Sequence, residues 1–198
     1  MSNGLRVLIY DAVRAPGLLD ETWAFGAYWA RKFGRFDVVI PAVDWSSTLR
    51  AAALIEQPDP IAELHFWGHG SPGRVYVGGK AINRVVFTSP THPWHAPMVA
   101  LSSRMRPESL VWWRTCSTFA RERGQAFARE CVDFFGCRVA ASTFNIGLFH
   151  SGIHSLRPGD EPSWPADEGV STKGGQRSSW PWRPNTISCF RSRIPSEW

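Results

Sequence analysis

Short apolar runs alternate with segments of helical periodicity, and this alternation constrains the fold more than any other feature of the chain. Branched apolar residues at 5–10 and 38–41 flank residues 20–33, where Trp23, Ala27 and Ala30 recur at helical spacing. Strands separated by helices pair in parallel through right-handed crossovers. The pattern therefore predicts an open, mostly parallel α/β sheet.

The same pattern continues toward the middle of the chain. Further strands are predicted at residues 61–69, 109–114 and 137–142, and further helices at 47–55, 96–104 and 119–135. Ser46 or Ser47 is expected to cap the second helix. Residues 74–77, followed by two glycines, predict a small surface hairpin after the third strand.

Beyond Gly147 the composition changes to prolines interspersed with tryptophans. We predict an α/β domain over residues 1–157 and a Trp- and Pro-rich extension over residues 158–198. Disordered tails seldom carry so many large aromatics, so the extension is expected to pack on the core as irregular chain, with a short strand within residues 185–192. Exposed tryptophans could instead form a sugar or lipid platform. The tryptophans concerned are Trp164, Trp180, Trp182 and Trp198.

Composition excludes some classes of protein. The chain has 198 residues, 43% of them hydrophobic, and a net charge of +5 that is scattered along the sequence. Scattered charge argues against a nucleic-acid reader, which more often presents a basic stripe with exposed aromatics. No apolar run suits a signal peptide or a membrane span, and the four cysteines lack metal-binding spacing. These features predict a soluble, cytoplasmic protein with reduced cysteines, and they leave its oligomeric state open.

A thiol and an imidazole follow two of the predicted strands. His69 and Gly70 come at the end of the third strand, and Cys116 follows the fourth. Since parallel strands present their carboxyl ends at one edge, the pair predicts a nucleophile and its base at a shared site. A helix starting near Thr118 would favour the thiolate. The alternative for each residue is structural, a buried cysteine and a turn histidine.

Two longer blocks carry a family resemblance. The stretches LHFWGHGSPGRVYVGG and LVWWRTCSTFARERGQAFARECVDFFGCRVAASTFNIG resemble the caspase-like (clan CD) cysteine peptidase superfamily, which includes gingipains, legumains and separases, and within it a bacterial branch. The likeness spans residues 61–147. The family's glycine before the cysteine is Thr115 here, and its following asparagine is Ser117.

The resemblance implies a three-layer fold of the caspase and gingipain type, with Cys116 as nucleophile and His69 as proton carrier. Backbone N–H groups of Gly70 and Cys116 would stabilise the oxyanion. No metal or organic cofactor is implied, and the substrate would be a protein or peptide. Histidine pairs at His92/His95 and His150/His154 lack the further ligands that a zinc site needs.

Substrate preference in such enzymes depends on the residue two before the nucleophile, here Arg114. Its guanidinium predicts binding of an acidic group, with Arg14 as a second cation and Asp11 as an opposing charge in the same loop. We therefore predict a cysteine endopeptidase that cleaves after an acidic residue. The alternatives are a catalytically silent binding domain, marked by an exposed aromatic patch, and a nucleic-acid-binding module.

Overall fold

The fold is built around one six-stranded sheet with helices on its faces. The structure is a computed structural model that describes residues 4–13, 19–191 and 193–198. The helices are α1 (Leu19–Lys32), α2 (Trp45–Ala53), α3 (Arg84–Thr88), α4 (His95–Ser102) and α5 (Arg121–Phe135). The first strands are β1 (Leu5–Asp11), β2 (Val38–Ala42), β3 (Ile61–Trp67), β4 (His69–Ser71), β5 (Arg74–Val77) and β6 (Lys80–Ile82). The others are β7 (Met105–Arg114), β8 (Arg138–Ser142), β9 (Phe149–His150), β10 (Ile153–Leu156) and β11 (Ile187–Ser188).

The order of the strands in the main sheet is β10-β8-β7-β3-β1-β2. Five of the six strands are parallel, and β10 pairs antiparallel with β8 at one edge. The prediction of a mostly parallel α/β sheet is therefore confirmed. The antiparallel edge strand was not predicted, because residues 153–156 read IHSL and do not form an apolar run.

Burial on both faces explains why these strands read as continuous apolar runs. Along β7, Val111 and Trp113 join the cluster that faces α2, α4 and α5, whereas Trp112 faces the other side of the sheet. Successive side chains of a strand point to opposite faces, so each run supplies two cores at once.

The two faces are covered differently. On one face α2 begins after Asp44, whose Oδ1 accepts a hydrogen bond of 3.0 Å from the amide of Ser47. The prediction that Ser46 or Ser47 is the cap was thus wrong by two or three residues, since Asp44 already offers an acceptor.

The opposite face is covered in two parts. Helix α1 packs Ala27 and Ala30 against the β1 side of the sheet. The β7–β8–β10 side is covered by residues 185–191 and 193–198, which we call the C-terminal segment, through Ile187 and Ile194. Irregular chain therefore occupies a position that a helix would fill in a regular three-layer sandwich.

Polar contacts hold the C-terminal segment in place. The guanidinium of Arg138 on β8 donates hydrogen bonds to the carbonyls of Pro195, at 2.6 Å, and Trp198, at 3.1 Å. A strand was predicted within residues 185–192, and in the described part of that range the strand is Ile187–Ser188, which pairs with β9 in a two-stranded sheet. Among the described residues, no helix combines the length and hydrophobicity needed to cross a membrane.

The tryptophans of the extension divide into two groups. Trp164 is buried, with its ring stacked on Phe119 at 5.4 Å and on His154 at 4.8 Å, and its Nε1 donates to the Phe119 carbonyl at 2.9 Å. Trp180 and Trp182 stack on each other and are 50% and 76% exposed. Core packing was thus the right prediction for Trp164 and wrong for Trp182.

Replacing Trp164 by alanine is expected to lower the free energy of unfolding by about 3–5 kcal/mol, because it removes a buried indole and two ring contacts. Trp182→Ala, at an exposed position, is the matched control and should change it by less than about 0.5 kcal/mol. Denaturant unfolding of both variants measures the difference. Equal effects would contradict the docking of the extension through Trp164.

Candidate active site

His69 and Cys116 lie at the same edge of the main sheet. Strands β3 and β7 are parallel neighbours, and their last paired residues are Trp67 and Arg114. His69 follows the first of these by two residues, and Cys116 follows the second by two. The two side chains therefore start from adjacent strand ends, as the sequence predicted.

Gly70 brings the two motifs into backbone contact. A Cβ atom at this position would lie 2.7 Å from the Cys116 carbonyl oxygen and 2.6 Å from Thr118 Oγ1. Both distances are too short for a carbon atom to be accommodated without movement. Glycine is therefore required here by close approach, and the chain that follows His69 packs directly on the chain at Cys116.

The thiol of Cys116 is half-buried and lies against the loop after β8. Its Sγ is 3.8 Å from the carbonyl oxygen of Ile146. Burial raises the pKa of the Cys116 thiol. The predicted direction, toward a lowered pKa, was wrong.

The start of α5 also differs from the prediction. The helix begins at Arg121, with Ala120 as its N-cap, and not near Thr118. Cys116 is thus several residues away from the helix end, where the favourable effect of the macrodipole on a thiolate has faded. At rest, Cys116 is a protonated thiol.

The His69 ring is held by an aromatic contact. Its centroid lies 5.0 Å from that of Trp23 on α1, in an edge-to-face arrangement. Among the described residues, no hydrogen bond joins this ring to Cys116 or to a carboxylate. The contact with Trp23 orients the imidazole.

The turn that contains Cys116 is fixed by buried hydroxyls and a strained residue. Thr115 Oγ1 and Thr118 Oγ1 are hydrogen-bonded at 2.6 Å. Ser117 has a φ of +46°, in the left-handed region that disfavours side chains, and its amide donates to the Phe144 carbonyl at 2.8 Å. The Ser117 amide is therefore engaged and does not face an oxyanion.

The backbone at Ser117 gives a test of this turn. Ser117→Val is expected to lower the free energy of unfolding by about 1–3 kcal/mol, because a β-branched residue fits the left-handed region poorly. Ser117→Gly is the matched control and should stay within about 1 kcal/mol of wild type. Chemical denaturation distinguishes the two, and a valine variant as stable as the glycine variant would contradict the strained turn.

The residues predicted to bind substrate are placed differently from the expectation. Arg114 is buried, and its Nη2 donates to the Cys189 carbonyl of the C-terminal segment at 2.5 Å. Asp11 is also buried, and it accepts a hydrogen bond from the amide of Val13 at 3.1 Å. Arg14 lies outside the described residues. Neither Arg114 nor Asp11 therefore faces an open groove, because both side chains are buried.

Two contributors to this site had no signal in the sequence. Ile146 reaches Cys116 from the loop after β8, and Cys189 reaches Arg114 from the C-terminal segment. Both contacts join residues that are far apart in the chain, so neither spacing nor periodicity could indicate them.

Two of the histidines outside this site, one from each predicted pair, have structural partners. His95 Nδ1 is 2.8 Å from the Val86 carbonyl oxygen, and His154 pairs with Glu168 while stacking on Trp164. Within residues 4–13, 19–191 and 193–198, no three potential ligands gather into a metal-binding group.

Comparison with known proteins gives one family. No curated protein matches the chain. The profile of a family described as a domain of unknown function, DUF4347, matches residues 35–153, a span that holds both His69 and Cys116 and more than half of the sequence. The chain belongs to the DUF4347 family.

Proposed function

We propose that this protein is a cysteine endopeptidase of the caspase-like type, with Cys116 as nucleophile and His69 as proton carrier. The observation that carries the proposal is the close approach at Gly70, where a Cβ atom would lie only 2.7 Å from the Cys116 carbonyl oxygen. A thiol and an imidazole at adjacent strand ends can act on one bound carbonyl group.

The reaction would begin with proton transfer. Because burial raises the pKa of Cys116, the thiol is protonated at rest, and His69 must accept its proton as substrate binds. Catalytic hydrogen bonds in resting enzymes often tighten only when substrate binds, so the absence of a resting bond from the His69 ring to Sγ is compatible with this role.

The bond changes then balance over two steps. Sγ attacks the peptide carbonyl carbon, the C–N bond breaks, and His69 returns its proton to the leaving amine. Water next gives a proton to His69 and attacks the thioester, which releases the acid and restores the thiol. In this proposal the backbone amides of Gly70 and Cys116 donate hydrogen bonds to the oxyanion. The Ser117 amide does not take part, because it donates to the Phe144 carbonyl.

The proposal also includes a preference for cleavage after an acidic residue. Arg114 has the chemistry for it, since a guanidinium pairs with a carboxylate through two parallel hydrogen bonds. In this structure the Cys189 carbonyl covers Arg114. An acidic side chain would reach Arg114 only if the C-terminal segment moved away.

A peptide library tests both parts of the proposal. A diverse peptide mixture is incubated with wild type and with Cys116→Ala, and new peptide ends are identified by mass spectrometry. Cleavage that depends on Cys116 supports the peptidase, and enrichment of Asp or Glu before the cleaved bond supports the acidic preference. Cleavage that persists in Cys116→Ala would overturn the proposal.

A silent binding domain is the second candidate, favoured by two observations. The thiol pKa is raised, and the stacked Trp180–Trp182 pair is exposed. A wild-type protein that is folded, cleaves no peptide and loses a bound partner in Trp182→Ala would support this candidate.

A further inference from the structure

Three buried N–H donors without acceptors lie beside the C-terminal segment. They are Arg114 Nη1, Arg35 Nη2 and Trp67 Nε1, each buried and without a hydrogen-bond partner among the described residues. Buried donors are nearly always satisfied in folded proteins, so three together require an explanation. We call this group the donor cluster.

The members of the donor cluster are neighbours. The Arg114 guanidinium carbon lies 5.0 Å from the centre of the Trp67 ring and 4.6 Å from that of Trp112. Trp67 and Arg114 are also paired residues at the ends of β3 and β7. The positive charge of Arg35 also acts on Arg114 and contributes to the lowered pKa of its guanidinium.

The charges of the cluster are not balanced by any described acidic side chain. Arg114 is 5% exposed, it donates a hydrogen bond to the Cys189 carbonyl, and among the described residues it forms no ion pair with a carboxylate. Burial lowers the pKa of Arg114 to about 9, which leaves it positively charged at neutral pH. A buried cation such as Arg114 is costly unless a negative charge joins it, and the nearby charge of Arg35 adds to that cost.

We infer that the donor cluster binds a small oxyanion of the size of phosphate or sulfate between the sheet and the C-terminal segment. The three groups of the donor cluster are N–H donors, and the neighbouring His65 ring, whose nitrogens are also buried without a hydrogen-bond partner, can supply a further N–H. Several donors together select an acceptor with several oxygens and a negative charge. The backbone at Cys189 lies over Arg114. A small free ion therefore fits this site better than the side chain of a peptide bound in a groove. The site does not depend on Cys116 acting as a nucleophile.

Thermal unfolding of the full chain in inorganic phosphate tests the inference, with sodium chloride at equal ionic strength as reference. Ligand that binds only the folded state raises the midpoint, by about 5 °C or more when phosphate exceeds its Kd about 100-fold. Arg114→Met should lose this shift, and Arg35→Gln should reduce it. Arg129→Gln removes an exposed arginine that pairs with Glu161, and this control should keep the full shift.

Equilibrium dialysis with radiolabelled phosphate measures binding directly. If Arg114→Met fails to fold, the test is made with Arg35→Gln, which must weaken phosphate binding at least several-fold. N-acetyl-aspartamide, a mimic of an acidic side chain, is tested in parallel. Binding of phosphate that depends on both arginines supports the inference. Binding of the aspartate mimic alone, or a phosphate shift that is equal in all variants, overturns it.

Discussion

Cys116→Ala is expected to reduce kcat/KM for peptide hydrolysis by at least about 10⁴-fold, because it removes the atom that forms the acyl-enzyme bond. The library experiment supplies the peptide substrate. The fold should survive, since a half-buried thiol is replaced by a smaller apolar side chain. His69→Ala is expected to cost about 10²- to 10⁴-fold, because general acid–base assistance is lost while the nucleophile remains.

Cys137→Ala is the matched control for this prediction. Cys137 precedes β8 and lies at the edge of the sheet opposite Cys116. Burial raises its pKa to about 12, so it is chemically inert at neutral pH. Activity should remain near wild type in this variant, and a Cys137 variant as inactive as Cys116→Ala would point to general damage and not to chemistry.

Gly70→Ala is expected to impair both stability and activity. The added carbon would meet a backbone carbonyl at Cys116 and the β-carbon of Thr115, each at 2.7 Å. Neither atom can rotate away, so the two motifs must separate. Overpacking of this kind costs about 1–3 kcal/mol of unfolding free energy, and a shift of about 1 Å between reacting groups costs about 10²-fold in rate.

Gly147→Ala is the matched control for the Gly70 variant. A Cβ at Gly147 meets no atom within 4 Å, and the residue lies one position beyond Ile146, near the same site. Denaturant unfolding and kcat/KM measure both variants. If Gly70→Ala retained wild-type stability and rate, the two motifs would not be packed as described.

The parallel part of the fold could be predicted from sequence because its strands are buried on both faces. Residues such as Val111, Trp112 and Trp113 supply two cores and so form an uninterrupted apolar run. Strands β9, β10 and β11 have one or no deeply buried face and contain polar residues such as His154 and Ser155. Their pairing depends on the tertiary structure, which local pattern does not encode.

In the candidate site, the positions of His69 and Cys116 could be predicted from the sequence, but the residues around them could not. The positions of His69 and Cys116 follow from two strand ends, a local signal. The raised pKa of Cys116 depends on burial beneath the Ile146 loop, and the cover over Arg114 depends on a carbonyl of Cys189 far along the chain. Both effects come from contacts distant in sequence, so the sequence predicted where His69 and Cys116 lie and missed the surroundings that bury Cys116 and Arg114.

Covalent labelling of the four free cysteines tests the central claim most directly. The folded protein is treated with peptide acyloxymethyl ketones bearing Asp, Arg or Asn at the reactive end, and the modified residue is identified by mass spectrometry. Cys131 and Cys137 are buried, so Cys189 is the competing thiol. We expect labelling at Cys116 that is lost in His69→Ala while any reaction at Cys189 is unchanged. Labelling confined to Cys189, or labelling of Cys116 that is indifferent to His69, would contradict a Cys116–His69 dyad.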